Sequence, residues 1–433
     1  MHRRDFLKTV AVGAAGLTSG NPGAYAKPPI GSPTVTAKTL SKLNKPLAIA
    51  MWDLAWLLRH QKGGGFEDWD RALDELAERG YNAIRIDVFP HLVAADPDGN
   101  IKQRFFFPKN DWKPSLWSNK YSVYAHPREG LLEFLPKCRK RGIAVGLATW
   151  FGSDASKRND SIEGVEGFVR VWDETLQFLN DNNLLDVALY VDVLNEYPLY
   201  HGFSWLKNGQ QTQKSTKKES GNKNAQTDLE ADNPQLEDVR LDQDQRGFHQ
   251  TFMTNSLTQL KTRWPKLDFF ASLVGNYGRW QQMGLDRFDA LDVHLWFVFN
   301  KQFSKQVGYR KNFGKVENDL GFEKGYAAIR QYFKNHKAEL IEWMEDKIRT
   351  VAEVGKKYGI PYGNTEGWGP VRWMDHPLLD WDWVKESAEI CARLGARYGY
   401  MFNCTSNFTH PHFRGYWQDI KWHQKVTSII KDV

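Results

Sequence analysis

From Lys45 onward, short apolar runs alternate with longer stretches in which apolar residues recur every three or four positions. The runs are Pro46–Trp52, Ala83–Phe89, Ile143–Thr149, Val187–Leu194, Leu267–Val274, Ala290–Trp296, Pro361–Thr365 and Tyr398–Asn403. Each is short and nearly continuously apolar, as strands of a parallel sheet covered on both faces must be. Between them lie amphipathic helical patterns. Phe66–Arg79 places Phe66, Trp69, Leu73, Leu76 and Ala77 on one face and stops at Gly80. Pro127–Arg141 opens with proline at a first helical position and stacks Leu131, Leu135 and Cys138. Val165–Leu179, Phe248–Trp264, Ala338–Val354 and Trp381–Leu394 repeat the pattern. Cys138 and Cys391 fall on apolar helix faces and read as small buried hydrophobes.

Eight strand–helix units predict an α/β protein: a (β/α)8 TIM barrel forming one domain over residues 45–433. A doubly wound open sheet shares this pattern. It would be supported by a Gly-x-Gly-x-x-Gly turn after an early strand, and none occurs. Gly63-Gly64-Gly65 lacks the Lys-Ser/Thr of a phosphate loop and reads as a flexible connection.

Two segments stand outside the alternation. Arg3-Arg4, Phe6-Leu7-Lys8, a small-residue stretch from Thr9 and the Ala24-Tyr25-Ala26 cleavage pattern resemble a twin-arginine export signal over 1–26. The expected location is therefore periplasmic or secreted, with the export machinery as a partner. Residues 27–44 read as a flexible tether. Residues 207–246 carry no aromatic side chain, are Lys-rich first and Asp/Glu-rich later, and read as a polar, solvated insertion after the fourth strand.

Composition excludes more than it selects. The net charge of +6 is interspersed along 433 residues, so there is no electrostatic footprint for nucleic acid. No run of about 18 apolar residues follows the N-terminus, and no membrane anchor is expected in the mature form. Three cysteines make no disulfide framework. No cofactor motif is present. His410-Pro411-His412 lacks a carboxylate or cysteine at ligand spacing and is not read as a metal site.

In a barrel of this kind the C-terminal ends of the strands carry the chemistry. Strand four ends Asn195-Glu196, strand seven Thr365-Glu366-Gly367 and strand six His294-Leu295-Trp296, while strand two carries Ile84-Arg85-Ile86. Two glutamates facing one another across a barrel mouth suit acetal cleavage, one carboxyl protonating the leaving oxygen while the other attacks. Arg85 lies inside an apolar strand and must find a buried anion. Asp53, His91 and Asn276 follow strands one, two and five and point to the mouth as sugar-hydroxyl partners. Among eighteen tryptophans, Trp52, Trp150, Trp296, Trp368 and Trp373 lie at or just beyond strand ends and can line a sugar site or pack in the core.

These four strand-end motifs, in this order, resemble the clan-A retaining glycoside hydrolases, the cellulase-like members most closely. The resemblance spans about 45–433. It implies an exported enzyme acting on a poly- or oligosaccharide. Glu196 would be the acid/base, Glu366 the nucleophile, Asn195 the 2-hydroxyl partner, and Arg85 and His294 the neighbours that orient the nucleophile. Trp150, Trp296 and Asn403 depart from the His, Tyr and Trp that many members carry on strands three, six and eight. A sugar-binding protein without turnover on the same barrel is the alternative. A cofactor-dependent oxidoreductase is suggested by the export signal alone.

Overall fold

The computed structural model describes residues 39–108, 121–198, 203–207, 243–274, 280, 283–308, 319–369 and 379–432. Eight strand positions appear where the apolar runs predict them. They are β1 Leu47–Asp53, β2 Ala83–Asp87, β3 Ala144–Ala148, β4 Ala188–Asp192, β5 in two pieces at Phe269–Phe270 and Leu273–Val274, β6 Leu291–Trp296, β7 Tyr362–Asn364 and β8 Phe402–Cys404. All pair in parallel. The order runs β6-β7-β8-β1-β2-β3-β4-β5, with Leu47 opposite Phe402 and Ala83 opposite Ala144. The interrupted fifth strand closes the ring. Its first piece pairs Phe269 and Phe270 with Val191 and Asp192 of β4, and its second pairs Leu273 and Val274 with Val293 and His294 of β6.

Helices cover the outside: α1 Trp69–Glu78, α2 Pro127–Lys140, α3 Gly164–Asp181, α4 Gln243–Arg263, α5 Asp319–Asn335, α6 Lys337–Tyr358, α7 Trp381–Arg397 and α8 Ile420–Lys431. Their ends follow capping chemistry. Asp68 accepts the Arg71 N–H at 3.0 Å at the start of α1, and Gly80 leaves it with φ +83°. Inside the barrel, Tyr190 occupies the space over Gly146, where a Cβ would sit 2.2 Å from its ring. The three cysteines are buried and unpaired. None of the described helices is long and apolar enough to cross a membrane.

Several elements differ from the sequence reading. An antiparallel hairpin, Phe105–Phe107 with Val123–Ala125, follows β2. α4 begins at Gln243, ahead of its first apolar residue, so the polar stretch read as an insertion is helical at its C-terminal end. α5 and α8 carry no run that the apolar spacing singled out. The segment read as a tether is already packed at Leu40, whose N–H donates to Asp268 Oδ2 at 2.7 Å. The export signal and residues 208–242 lie outside the described residues.

Three even-numbered strands are clipped to their successors by buried aspartates. Asp87 accepts the Trp150 N–H at 2.8 Å, Asp192 the Ser272 N–H at 2.8 Å and Asp292 the Thr365 N–H at 2.9 Å. Burial raises Asp87 to about 7 and Asp192 to about 6. A carboxyl raised in the fold keeps a proton that the unfolded chain releases near pH 4. The native state therefore loses stability as pH rises from about 4 to 6, by about 2–3 kcal/mol for a two-unit shift. Asp192→Asn keeps the Oδ1 acceptor and cannot ionise. Its melting temperature is expected to match wild type at pH 4.5 and exceed it at pH 7.5. A lower value at pH 7.5 would mean that the charge of Asp192 is compensated in the fold and does not cost stability.

Candidate active site

Glu196 follows β4 and Glu366 follows β7, on the same barrel end; the two residues are 5% and 2% exposed. Glu196 sits in the left-handed region, φ +50°, a costly conformation for a residue with a Cβ that must be held by its surroundings. Ser272, at the break in β5, supplies much of that hold. Its Oγ accepts the Glu196 N–H at 3.1 Å and donates to Asn195 Oδ1 at 2.9 Å, and its carbonyl accepts the Tyr197 N–H at 2.8 Å. The carbonyl bond belongs to an isolated parallel bridge between Tyr197 and Leu273, and the Ser272 hydroxyl adds the two side-chain bonds to it.

Arg85 organises the other half, with contacts along every side of its guanidinium. Nε and Nη2 form a fork on Asp53, at 2.8 Å to Oδ1 and 2.7 Å to Oδ2. Nη2 also donates to Glu366 Oε2 at 2.8 Å. Nη1 donates to Thr365 Oγ1 and lies beside His294 Nε2, both at 2.9 Å. Thr365 passes its own hydroxyl proton to Asp292 Oδ2 at 2.5 Å.

His294 bridges the two glutamates. Its Nδ1 is 3.1 Å from Glu196 Oε1 and 3.6 Å from Glu366 Oε2. Burial works against a charged imidazole, and the surrounding carboxyls work for one. The carboxyls prevail, Glu366 foremost, and raise the ring to about 10, with Nδ1–H donated to Glu196 and Nε2 facing Arg85 Nη1. Burial, with Glu196 and Asp53 adding to it, raises Glu366 to about 8 against the pull of His294 and Arg85. Ionisable neighbours share the environment of Glu366, so that raised value belongs to the site. Within the pair, the guanidinium contact favours the negative charge on Glu366.

One oxygen of each glutamate and a ring nitrogen of His294 lie within 4.8 Å of one another. Among the described residues this is the one set spaced to hold a metal ion, and an ion there would have to displace the Nδ1–Glu196 hydrogen bond. His410 and His412 instead pack their rings against Phe413 and each other.

The other expected site residues separate into two groups. Asn195 is buried beside Glu196, and its Nδ2 has no partner among the described residues. Trp150 and Trp296 are half-buried at the ends of β3 and β6. The Trp150 indole N–H donates to Asp53 Oδ2 at 2.7 Å. Asp53 itself is not the expected sugar partner: Arg85 and Trp150 occupy both its oxygens. His91 is buried too, with Nε2 donating to the Gly152 carbonyl at 3.0 Å and burial lowering it to about 4, so it braces the loop after β3. Trp368 is fully buried, with its indole N–H directed at the Cys404 carbonyl at 3.2 Å, and presents no open face. Trp52 is likewise core, bonded to Thr409. Asn276 and Trp373 lie outside the described residues. Ser272, Thr365, Asp192 and Asp292 were not singled out. For the aspartates a signal existed: an acidic residue inside an apolar strand needs a buried partner, just as Arg85 does.

Comparison with known proteins shows the family. The sequence model of a family described as sugar-binding, cellulase-like matches residues 49–431. A crystal structure from Parabacteroides distasonis, provisionally named a glycoside hydrolase, is 30% identical with a TM-score of 0.74, covering 89% of this chain and 93% of that one. Two more distant similarities are to a glycoside hydrolase family 5 mannosidase from Rhizomucor miehei (11% identity, TM-score 0.44, 89% and 93% coverage) and to an endo-β-1,4-mannanase from Thermotoga petrophila (11%, 0.44, 91% and 78%). No curated protein matches the chain. With nearly the whole barrel matched, the chain belongs to the sugar-binding cellulase-like family.

Proposed function

We propose that the protein is an exported glycoside hydrolase that cleaves O-glycosidic bonds of an oligo- or polysaccharide with retention of anomeric configuration. The observation that carries this is the approach of Glu196 and Glu366 across the barrel mouth, with oxygens within 4.8 Å. Retaining pairs stand about 5–5.5 Å apart, whereas inverting pairs need about 6.5–9.5 Å to admit a water. Export rests on the Arg3-Arg4 leader.

In this reading Glu366 attacks the anomeric carbon. Arg85 holds its Oε2, which leaves Oε1 as the attacking atom. Glu196 protonates the leaving oxygen, then takes a proton from the water that opens the glycosyl-enzyme. His294 fixes the Glu196 carboxyl through Nδ1–H. Asn195 Nδ2 is placed for the sugar 2-hydroxyl, and Trp150 and Trp296 offer apolar ring faces at the rim.

The test is a screen of the mature protein against aryl glycosides and polysaccharides, with the anomer of the first product read by NMR. Retention is expected. Inversion would overturn the mechanism. Binding of oligosaccharides without turnover on any substrate would favour the sugar-binding alternative that the family description also allows. A positioning effect is expected at Ser272. Ser272→Ala removes one bond to Glu196 and one to Asn195, so kcat should fall roughly 10-fold, the worth of about one hydrogen bond. An unchanged kcat would mean that the left-handed Glu196 is held by other contacts.

A further inference from the structure

We propose that Trp150 is a positioning residue for Glu366: its indole N–H, acting on Asp53 Oδ2, sets how much of the Arg85 charge reaches the nucleophile. The proposal deepens the glycosidase reading and rests on it for its kinetic arm. The geometry is a chain of shared atoms. The oxygen that accepts the indole N–H at 2.7 Å also accepts from Arg85 Nη2 at 2.7 Å. That same Nη2 spends its second proton on Glu366 Oε2 at 2.8 Å. Asp53 and Glu366 therefore compete for one nitrogen, and Trp150 is a third party bonded to one competitor. Its position is held from both sides, because the Trp150 backbone N–H is anchored on Asp87 Oδ2.

The direction follows from electrostatics in a buried site, where each donor counts for more than it would in solvent. The indole N–H offsets part of the negative charge on Asp53 Oδ2 and slackens its grip on the guanidinium. Without it, Asp53 draws Arg85 more strongly and Glu366 feels less positive charge. Its carboxylate then takes up a proton at higher pH. Glu366 is faced by Arg85 from β2, Asp53 from β1, Glu196 from β4, His294 from β6 and the Cys404 thiol from β8. Arg85 is faced in addition by Asp192, and Asp87 looks toward Asp53. Trp150 is the neutral member of this set that touches Asp53, so removing its N–H changes the balance without adding a charge.

Trp150→Phe keeps a flat apolar ring and loses the donor; Trp150→His keeps an N–H. Two readouts are taken for each: the pH dependence of kcat/KM on an activated aryl glycoside, and the pH titration of the Glu366 carboxyl by 13C NMR, assigned through its loss in Glu366→Gln. In Trp150→Phe both the acidic limb and the Glu366 titration are expected to move up by roughly half a unit to one unit, about one hydrogen bond's worth. In Trp150→His they are expected to return toward wild type. A Glu366 titration that stays put in Trp150→Phe overturns the proposal, and a raised KM alone then marks Trp150 as a stacking face only. If wild type turns over no substrate, the hydrolase reading fails while the NMR arm still decides the coupling. If Trp150→Phe does not fold, 3-benzothienylalanine placed at position 150 removes the N–H at nearly constant ring volume and is read in the same way.

Discussion

Glu366→Ala is expected to abolish turnover on every substrate, by on the order of 10⁵-fold, because no covalent intermediate can form without its carboxylate. Glu196→Ala is expected to fail differently. Substrates with a good leaving group need little protonation, so the first step persists and the enzyme stalls at the glycosyl intermediate, for want of a base to activate water. Azide needs no base. Added to Glu196→Ala, it should restore turnover and give a glycosyl azide of the substrate's own anomeric configuration. Added to Glu366→Ala, it occupies the place of the missing carboxylate and should give the opposite anomer. Product NMR separates the two cases. Retention at Glu366→Ala with inversion at Glu196→Ala would exchange the roles. The assignment is motivated by Arg85, which touches Glu366 and not Glu196 among the hydrogen bonds of the site.

The barrel was legible because strands buried on both faces leave continuous apolar runs, and each of the eight runs overlaps a strand, the last only at Phe402 and Asn403. The chemistry at their ends was legible for a related reason. A Glu, His or Arg next to such a run has to be accommodated in the interior, and Glu196, Glu366, His294 and Arg85 are brought together there. What escaped was information that only the third dimension holds. Ser272 and Thr365 are small hydroxyl residues with no periodic signature, yet one supports the left-handed Glu196 and the other links Arg85 to Asp292. Trp150 and Trp368 look alike in sequence, each just beyond a strand. One keeps part of its ring at the rim; the other is turned inward against Cys404. Asp53 was read as a sugar ligand because it ends a strand, and its real neighbour lies 32 residues on, in β2. The start of α4 was missed because its first residues, Gln243 to Arg246, are polar and give no apolar period.

Arg85→Met is expected to cost stability as well as activity, and to do so in a pH-dependent way. The guanidinium is fully buried and holds Asp53 and Glu366 together, with Asp192 also in its field. Removing one partner from a buried ionic set strands the others, at a cost of about 3–5 kcal/mol, which is a large share of a domain's net stability. Methionine fills much of the same volume, so a cavity accounts for little of the loss. The stranded carboxyls can escape the cost only by binding protons. In the variant, the native state then holds protons that the unfolded chain has released above about pH 4, and its stability falls as pH rises. The gap between wild type and Arg85→Met should be smallest near pH 4.5 and widest near pH 8, measured as the difference in urea midpoint at each pH. A gap that does not change with pH would show that the loss is one of packing, and that Asp53 and Glu366 do not depend on Arg85 for their charge. Arg85→Lys should recover only part of the loss, since a single ammonium cannot supply the fork to Asp53 and the bond to Glu366 together with the contacts to His294 and Thr365.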